Sequence, residues 1–177
     1  MRTLNYYIKE AFKVTTGTKI NKIPEYHYHP KTKDELKDLI DNLIEERGLD
    51  ADLNDIDTSK ITDMHNIFGY SKFNGDISQW DVSNVTNMRN MFLCAEFNGD
   101  ISNWDVSNVT DMGSMFTDSV FDGDISNWDV SNVRNMSNMF RESGFTGDIS
   151  KWNVSKVADM SKMFYKCPLS KNPPQWY

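Results

Sequence analysis

The sequence predicts an α/β repeat protein, a short solenoid with one short strand and one short helix per 24-residue coil and an N-terminal helical cap. Three observations predict this fold class. A motif recurs every 24 residues without a gap, opening at Phe73, Phe97, Phe121 and Phe145. Its apolar positions are spaced first as in a strand and then as in a helix. An amphipathic segment precedes the motif and would cover the first coil, as a solenoid requires.

Residues 1–23 are interpreted as an amphipathic docking extension. Leu4, Ile8 and Phe12 lie four apart in "TLNYYIKEAFKV", a spacing typical of a short amphipathic helix. Such a helix serves as a docking element about as often as it straps onto its own domain, and both interpretations stay open at this point.

Residues 24–48 are predicted to form the N-terminal cap, with a helix over 32–47. Thr32 and Glu35 have the spacing of a capping box, and Gly48 stands at the expected C-terminal capping position. The apolar face of the helix comprises Leu36, Leu39, Ile40, Leu43 and Ile44. "YHYH" at 26–29 contains an H-x-H pattern, but His65 is the only other histidine. Zinc needs more ligands than that, so the segment is interpreted as an extended chain on the cap.

The repeats occupy 49–177, with coils at 49–72, 73–96, 97–120, 121–144 and 145–168 and a partial coil at 169–177. The spacing I-x-x-W-x-V matches L-x-x-L-x-L of a leucine-rich repeat with larger side chains. From Val85 the apolar positions Met88 and Met91 follow three apart, which predicts the helix of each coil. One slot holds every tryptophan and is assigned to the core: Trp80, Trp104, Trp128, Trp152 and Trp176.

Aspartate also recurs in fixed slots, one of which holds Asp76, Asp100, Asp124 and Asp148. Aspartate readily caps backbone N–H groups in turns, and we favour that interpretation. Calcium between coils is the alternative, since carboxylate oxygens suit hard cations. No cofactor is predicted.

Composition excludes several functions. The formal charge of −7 argues against nucleic-acid binding. The sequence contains no run of 18 apolar residues, so membrane insertion is not expected. Cys94 and Cys167 lie about three coils apart, too far for a disulfide, and are expected to be free thiols. No secretory signal is visible near the N-terminus, so the cytoplasm or a virion is the expected location, and the cell surface is the alternative.

The motif "GDISNWDVSNVTDMGSMF" resembles the BspA-like leucine-rich repeats of bacterial surface proteins, which also occur in mycoplasma lipoproteins and phage-borne genes. The resemblance covers about residues 49–177. It implies a right-handed leucine-rich-repeat-like solenoid with a role in adhesion or protein binding and no enzyme activity. An adhesin exported without a visible signal is therefore an alternative function.

The N-terminal "MRTLNYYIKEAF" resembles the capsid-targeting peptides of internal head proteins in T-even-like phages. Those peptides are cut after an [I/L]-x-E tripeptide, which matches Ile8, Lys9 and Glu10 with Ala11 following. The resemblance implies that residues 1–10 would direct the chain to a partner such as a virion.

A non-catalytic, protein-binding scaffold is the expected function. The sequence contains no visible set of nucleophile, base and acid, and it contains no glycine-rich phosphate loop. The partner and the oligomeric state stay open. Candidate contacts are the polar positions that differ between copies: Gln79, Asn103, Asn127, Lys151, Arg89, Asn90, Ser137, Asn138 and Lys162.

Overall fold

The computed structural model describes residues 26–177, which form a stack of repeats with a helix at its N-terminal end. In chain order the helices are α1, Lys33–Arg47, and a 3-10 helix, Pro168–Lys171. Isolated parallel bridges join residues 24 positions apart: Asp63 to Asn87, Asn87 to Asp111, Asp111 to Asn135, and Asn135 to Asp159. Each repeat therefore lies in register on the next. The extension 1–23, with Ile8, Glu10 and Ala11, lies outside the described residues.

Helix α1 matches the helix predicted over 32–47 and is capped at both ends. The Thr32 side chain accepts a hydrogen bond from the Glu35 N–H at 3.2 Å. Gly48 has φ of 93° and donates its N–H to the Ile44 carbonyl at 2.9 Å. The face turned toward the repeats buries Leu36, Ile40 and Leu43. Burial of this apolar face covers the first repeat, and it stabilises a helix too short to persist alone in water.

The α/β solenoid predicted from the sequence is wrong, because the described residues contain neither a sheet nor a helix in each repeat. Residues 49–167 form turns joined by isolated bridges. The segment that apolar spacing predicts as a helix holds two left-handed residues four apart, as at Asn90 (φ 58°) and Cys94 (φ 52°). Left-handed residues interrupt an α-helix. The same pair recurs in every full repeat: Asn66 and Tyr70, Ser114 and Asp118, Asn138 and Glu142, Lys162 and Lys166.

Hydrogen bonding between repeats explains why these turns replace the helix. In the second repeat the N–H groups of Met88, Asn90, Phe92 and Cys94 donate to carbonyls of the third repeat at 2.8–3.0 Å. The N–H groups of Met91, Leu93 and Ala95 close turns onto carbonyls three residues back, at 3.1–3.2 Å. Beyond its first turn, an α-helix would satisfy these N–H groups within itself and would leave few of them to join the repeats. We refer to the outward-donating positions as the donor ladder.

Aromatic side chains stack along the interior. The ring centroids of Phe73, Phe97, Phe121 and Phe145 are 6.4 Å apart from repeat to repeat. The four internal tryptophans are each 4% exposed, whereas Trp176 is partly exposed. Every tryptophan donates its Nε1–H to a carbonyl 27 residues earlier, at 2.9–3.2 Å. The indoles therefore supply both apolar area and bonds between repeats.

Close packing of repeats demands glycine at one turn. A Cβ on Gly75 would lie 2.0 Å from the Ala51 carbonyl oxygen of the preceding repeat. The Asp76 N–H donates to that same oxygen at 3.0 Å. A larger residue at position 75 would push the two repeats apart and would break this bond.

Candidate binding surface

One row of predicted binding residues is exposed along the stack. Gln79, Asn103, Asn127 and Lys151 occupy the same slot in successive repeats, and all four are exposed. Each stands directly before a buried tryptophan, so the backbone beneath the row is fixed by the core. We call these four residues the variable row, because the repeat motif around them is nearly constant while this side chain changes.

The second set of predicted residues is less uniform. Arg89 and Lys162 are exposed, whereas Asn90 and Asn138 are half-buried at left-handed turn positions. Ser137 was predicted to be a surface contact, but its side chain is buried, with 8% exposed. Its hydroxyl donates to Asn135 Oδ1 at 2.7 Å. Gly113, in the same slot one repeat earlier, is also buried, whereas Ser161 in the last full repeat is exposed, so a following repeat covers small residues at this slot.

The aspartate slots are turn caps. Asp76, Asp100, Asp124 and Asp148 each accept a hydrogen bond at 2.9 Å from the N–H of the serine two residues later. The Ser102 N–H holds the pKa of Asp100 below its usual value, although the neighbouring Asp76 and Asp124 oppose this shift. The backbone bond therefore outweighs the repulsion along the ladder. Within residues 26–177, no group of three or more His, Cys, Asp or Glu side chains is placed to hold a metal ion.

The H-x-H segment binds the first repeat through acidic residues with the same spacing. His27 Nδ1 lies 3.1 Å from Asp55 Oδ2, and His29 Nδ1 lies 3.1 Å from Asp57 Oδ2. Arg47 of α1 makes two 3.0 Å bonds to the carboxylate of Asp55. Burial raises the pKa of Asp55, but the hydrogen bonds from Arg47 and His27 lower this pKa by more than burial raises it. The net shift is therefore downward.

Sequence reasoning missed these pairs, although a signal was present. The D-x-D pattern at 55–57 has the same two-residue period as H-x-H at 27–29. A parallel bridge between Tyr28 and Ile56 places the two patterns side by side. The cluster fastens the extended segment and α1 to the first repeat.

Both cysteines are free thiols. Cys167 is buried beside Ser143, and burial raises the pKa of its thiol. Burial, with the nearby Asp118 carboxylate, also raises the pKa of Cys94. A raised pKa favours the protonated, less reactive form of a thiol.

Charge is distributed unevenly along the stack. The middle repeat, 97–120, carries four aspartates and no lysine or arginine. The last full repeat, 145–168, which we call the C-terminal repeat, carries four lysines against two aspartates. An acidic chain thus ends its described stack in a basic repeat.

The period, the stacked core and the ladders between repeats define the class: this is a repeat protein in which each 24-residue unit is completed by its neighbours. Two matches to one family model, over residues 35–141 and 94–176, together include most of the chain. The chain therefore belongs to the family described as "Mycoplasma protein of unknown function, DUF285". No curated protein and no solved structure matches the chain. Among residues 26–177, no helix has the length and apolar character required to cross a bilayer.

Proposed function

We propose that this protein is a non-catalytic, protein-binding scaffold of the BspA-like repeat type, bacterial or phage-borne. One observation carries the proposal. The variable row presents Gln79, Asn103, Asn127 and Lys151 to solvent from four equivalent backbone positions. A row that changes its side chains over a constant, buried framework is how repeat proteins fit a scaffold to a partner.

The polar side chains of the motif support a scaffold rather than an enzyme. Asp81 Oδ1, for example, accepts bonds from both the N–H and the hydroxyl of Ser83, at 3.0 and 2.6 Å. Asn108 donates its side-chain amide to the Ser83 carbonyl of the preceding repeat at 2.8 Å. These groups hold turns and repeats together, which is a sufficient account of why they recur.

Site-specific photocrosslinking in the native host would test the variable row. A photoreactive residue replaces Asn103 or Asn127 in two variants, and it replaces exposed Glu96, in a different slot, in a matched control. We expect one protein to crosslink from both row positions and not from position 96. Binding of that protein, once purified, should be lost in an Asn103→Arg, Asn127→Arg double variant. Equal capture from all three positions, or unchanged binding by the double variant, would refute the proposed surface.

The location of the native protein distinguishes a scaffold in the cytoplasm from a virion protein and from a cell-surface adhesin. Intact mass and N-terminal sequence of the native protein would be measured in cells and in virions. A chain that starts at Ala11 and is enriched in virions supports targeting by residues 1–10, whereas a chain that retains those residues in cytosol contradicts it. Release by protease treatment of intact cells would instead support a surface adhesin.

A further inference from the structure

The C-terminal repeat ends in an open donor ladder. Its N–H groups at Met160, Lys162, Phe164 and Lys166 find no backbone acceptor within residues 26–177. One repeat earlier, the matching N–H groups of Met136, Asn138, Phe140 and Glu142 all donate to the C-terminal repeat, at 2.8–3.0 Å. Within the stack, the same donors are met by alternate carbonyls of a segment that forms the same succession of turns, so the four open donors are the complement of such a segment.

The apolar interior is also incompletely covered at this edge. Val133 and Met136 are fully buried. Their equivalents in the C-terminal repeat, Val157 and Met160, are only partly buried. The Tyr165 side chain is 48% exposed on the same segment. An added chain would bury these groups together with the unpaired backbone, so burial and hydrogen bonding favour the same occupant.

Charge defines the chemistry of that occupant. Lys162 and Lys166 lie on the open segment, and Lys162 has no ion pair among the described residues. Lys166 already forms an ion pair with the preceding repeat, since its Nζ lies 3.3 Å from Glu142 Oε2. A second acidic residue on the other side of Lys166 would repeat this contact. An acidic chain is therefore favoured over a neutral or basic one.

We propose that residues 160–166 bind an acidic segment of a partner protein, which takes the turn conformation of a repeat and adds to the stack where a following repeat would lie. Its alternate carbonyls accept from the four open N–H groups, and its carboxylates pair with Lys162 and Lys166. This inference rests on the proposed binding function and assigns it a second surface, distinct from the variable row.

A synthetic octapeptide with blocked ends, NMSEMFTE, tests the proposal on the full chain. It follows residues 135–142, with glutamate in place of Asn138 and threonine in place of Arg141, so its acidic residues face Lys162 and Lys166. The control peptide, NMSQMFTQ, has the same shape without charge. Amide hydrogen exchange, resolved by NMR, reports each N–H separately.

In the dilute free protein, we expect the amides of the open ladder to exchange much faster than the matching amides one repeat earlier. The acidic peptide at about 1 mM should slow all four, and the glutamine peptide should bind roughly 2- to 30-fold more weakly, as expected for two exposed ion pairs. A Lys162→Glu, Lys166→Gln variant should lose this preference for glutamate. Asn66→Glu, in the Lys162 slot of the first repeat, should retain it.

The proposal would be overturned by slow exchange of the four amides in dilute free protein, by no protection from the acidic peptide, or by equal protection from both peptides. Protection that appears only at high protein concentration would assign the edge to a second copy and would also overturn it. The assay needs no natural partner. It can therefore fail while Asn103 and Asn127 still capture one, which keeps the two proposals separable.

Discussion

Replacing Ser114 by glycine should stabilise the protein. Ser114 has φ of 57° and lies in the segment that apolar spacing predicts as a helix. A non-glycine residue in the left-handed region costs about 1–2 kcal/mol, and glycine removes that cost. Glycine also adds about 0.4–1 kcal/mol of entropy to the unfolded chain, so the net gain should be about 0.5–1 kcal/mol. In an α-helix the same substitution would cost about 0.5 kcal/mol.

Urea unfolding and thermal melting measure this change, with an expected rise in Tm of about 1–4 °C for a chain of this size. Ser161→Gly is the matched control. It lies in the slot that Gly113 fills naturally, immediately before a left-handed residue, and it is not itself left-handed. Glycine there should cost about 0.5–1 kcal/mol, because only the entropic penalty remains. Destabilisation by Ser114→Gly would refute the turn geometry and would support a helix in this segment.

Four further outcomes are expected. In the far-UV circular dichroism spectrum, the repeats at 49–167 should contribute little helix. Trp128→Phe should cost about 1–3 kcal/mol in urea unfolding, since it removes a buried bond to Ile101, and Trp176→Phe should cost less. Asp81→Ala should cost about 1–2 kcal/mol, and Asp81→Asn much less, because asparagine holds this turn at Asn153. Unfolding by acid should depend on the four aspartates of one slot, because backbone N–H groups are the main cause that lowers their pKa values in the folded protein. These residues are Asp76, Asp100, Asp124 and Asp148. Their lowered folded pKa values stabilise the protein above about pH 4, and this stability is lost as pH falls through those values, so replacing all four by asparagine should flatten the acid limb.

Much of the candidate surface followed from the sequence, but not all of it. The variable row is exposed where the motif placed it, and each of its residues directly precedes a tryptophan that is buried in the core. Ser137 differs because the following repeat covers small residues in its slot, as it does at Gly113. The pairing of H-x-H with D-x-D was also missed. The shared two-residue period makes the pairing possible, but only the parallel bridge between Tyr28 and Ile56 places the two patterns side by side.

The sequence by itself determined the period, the register of the core, the bounds of α1 within a residue and the turn-capping aspartates. Each of these depends on local chemistry or on a strictly repeated slot. Only the tertiary structure decided whether Met88, Met91 and Ala95 lie on a helix or on consecutive turns, because the same three- and four-residue spacing buries these side chains either way. The backbone made the difference. Its alternate N–H groups gain acceptors on the neighbouring repeat, and a single repeat, considered alone, offers them none.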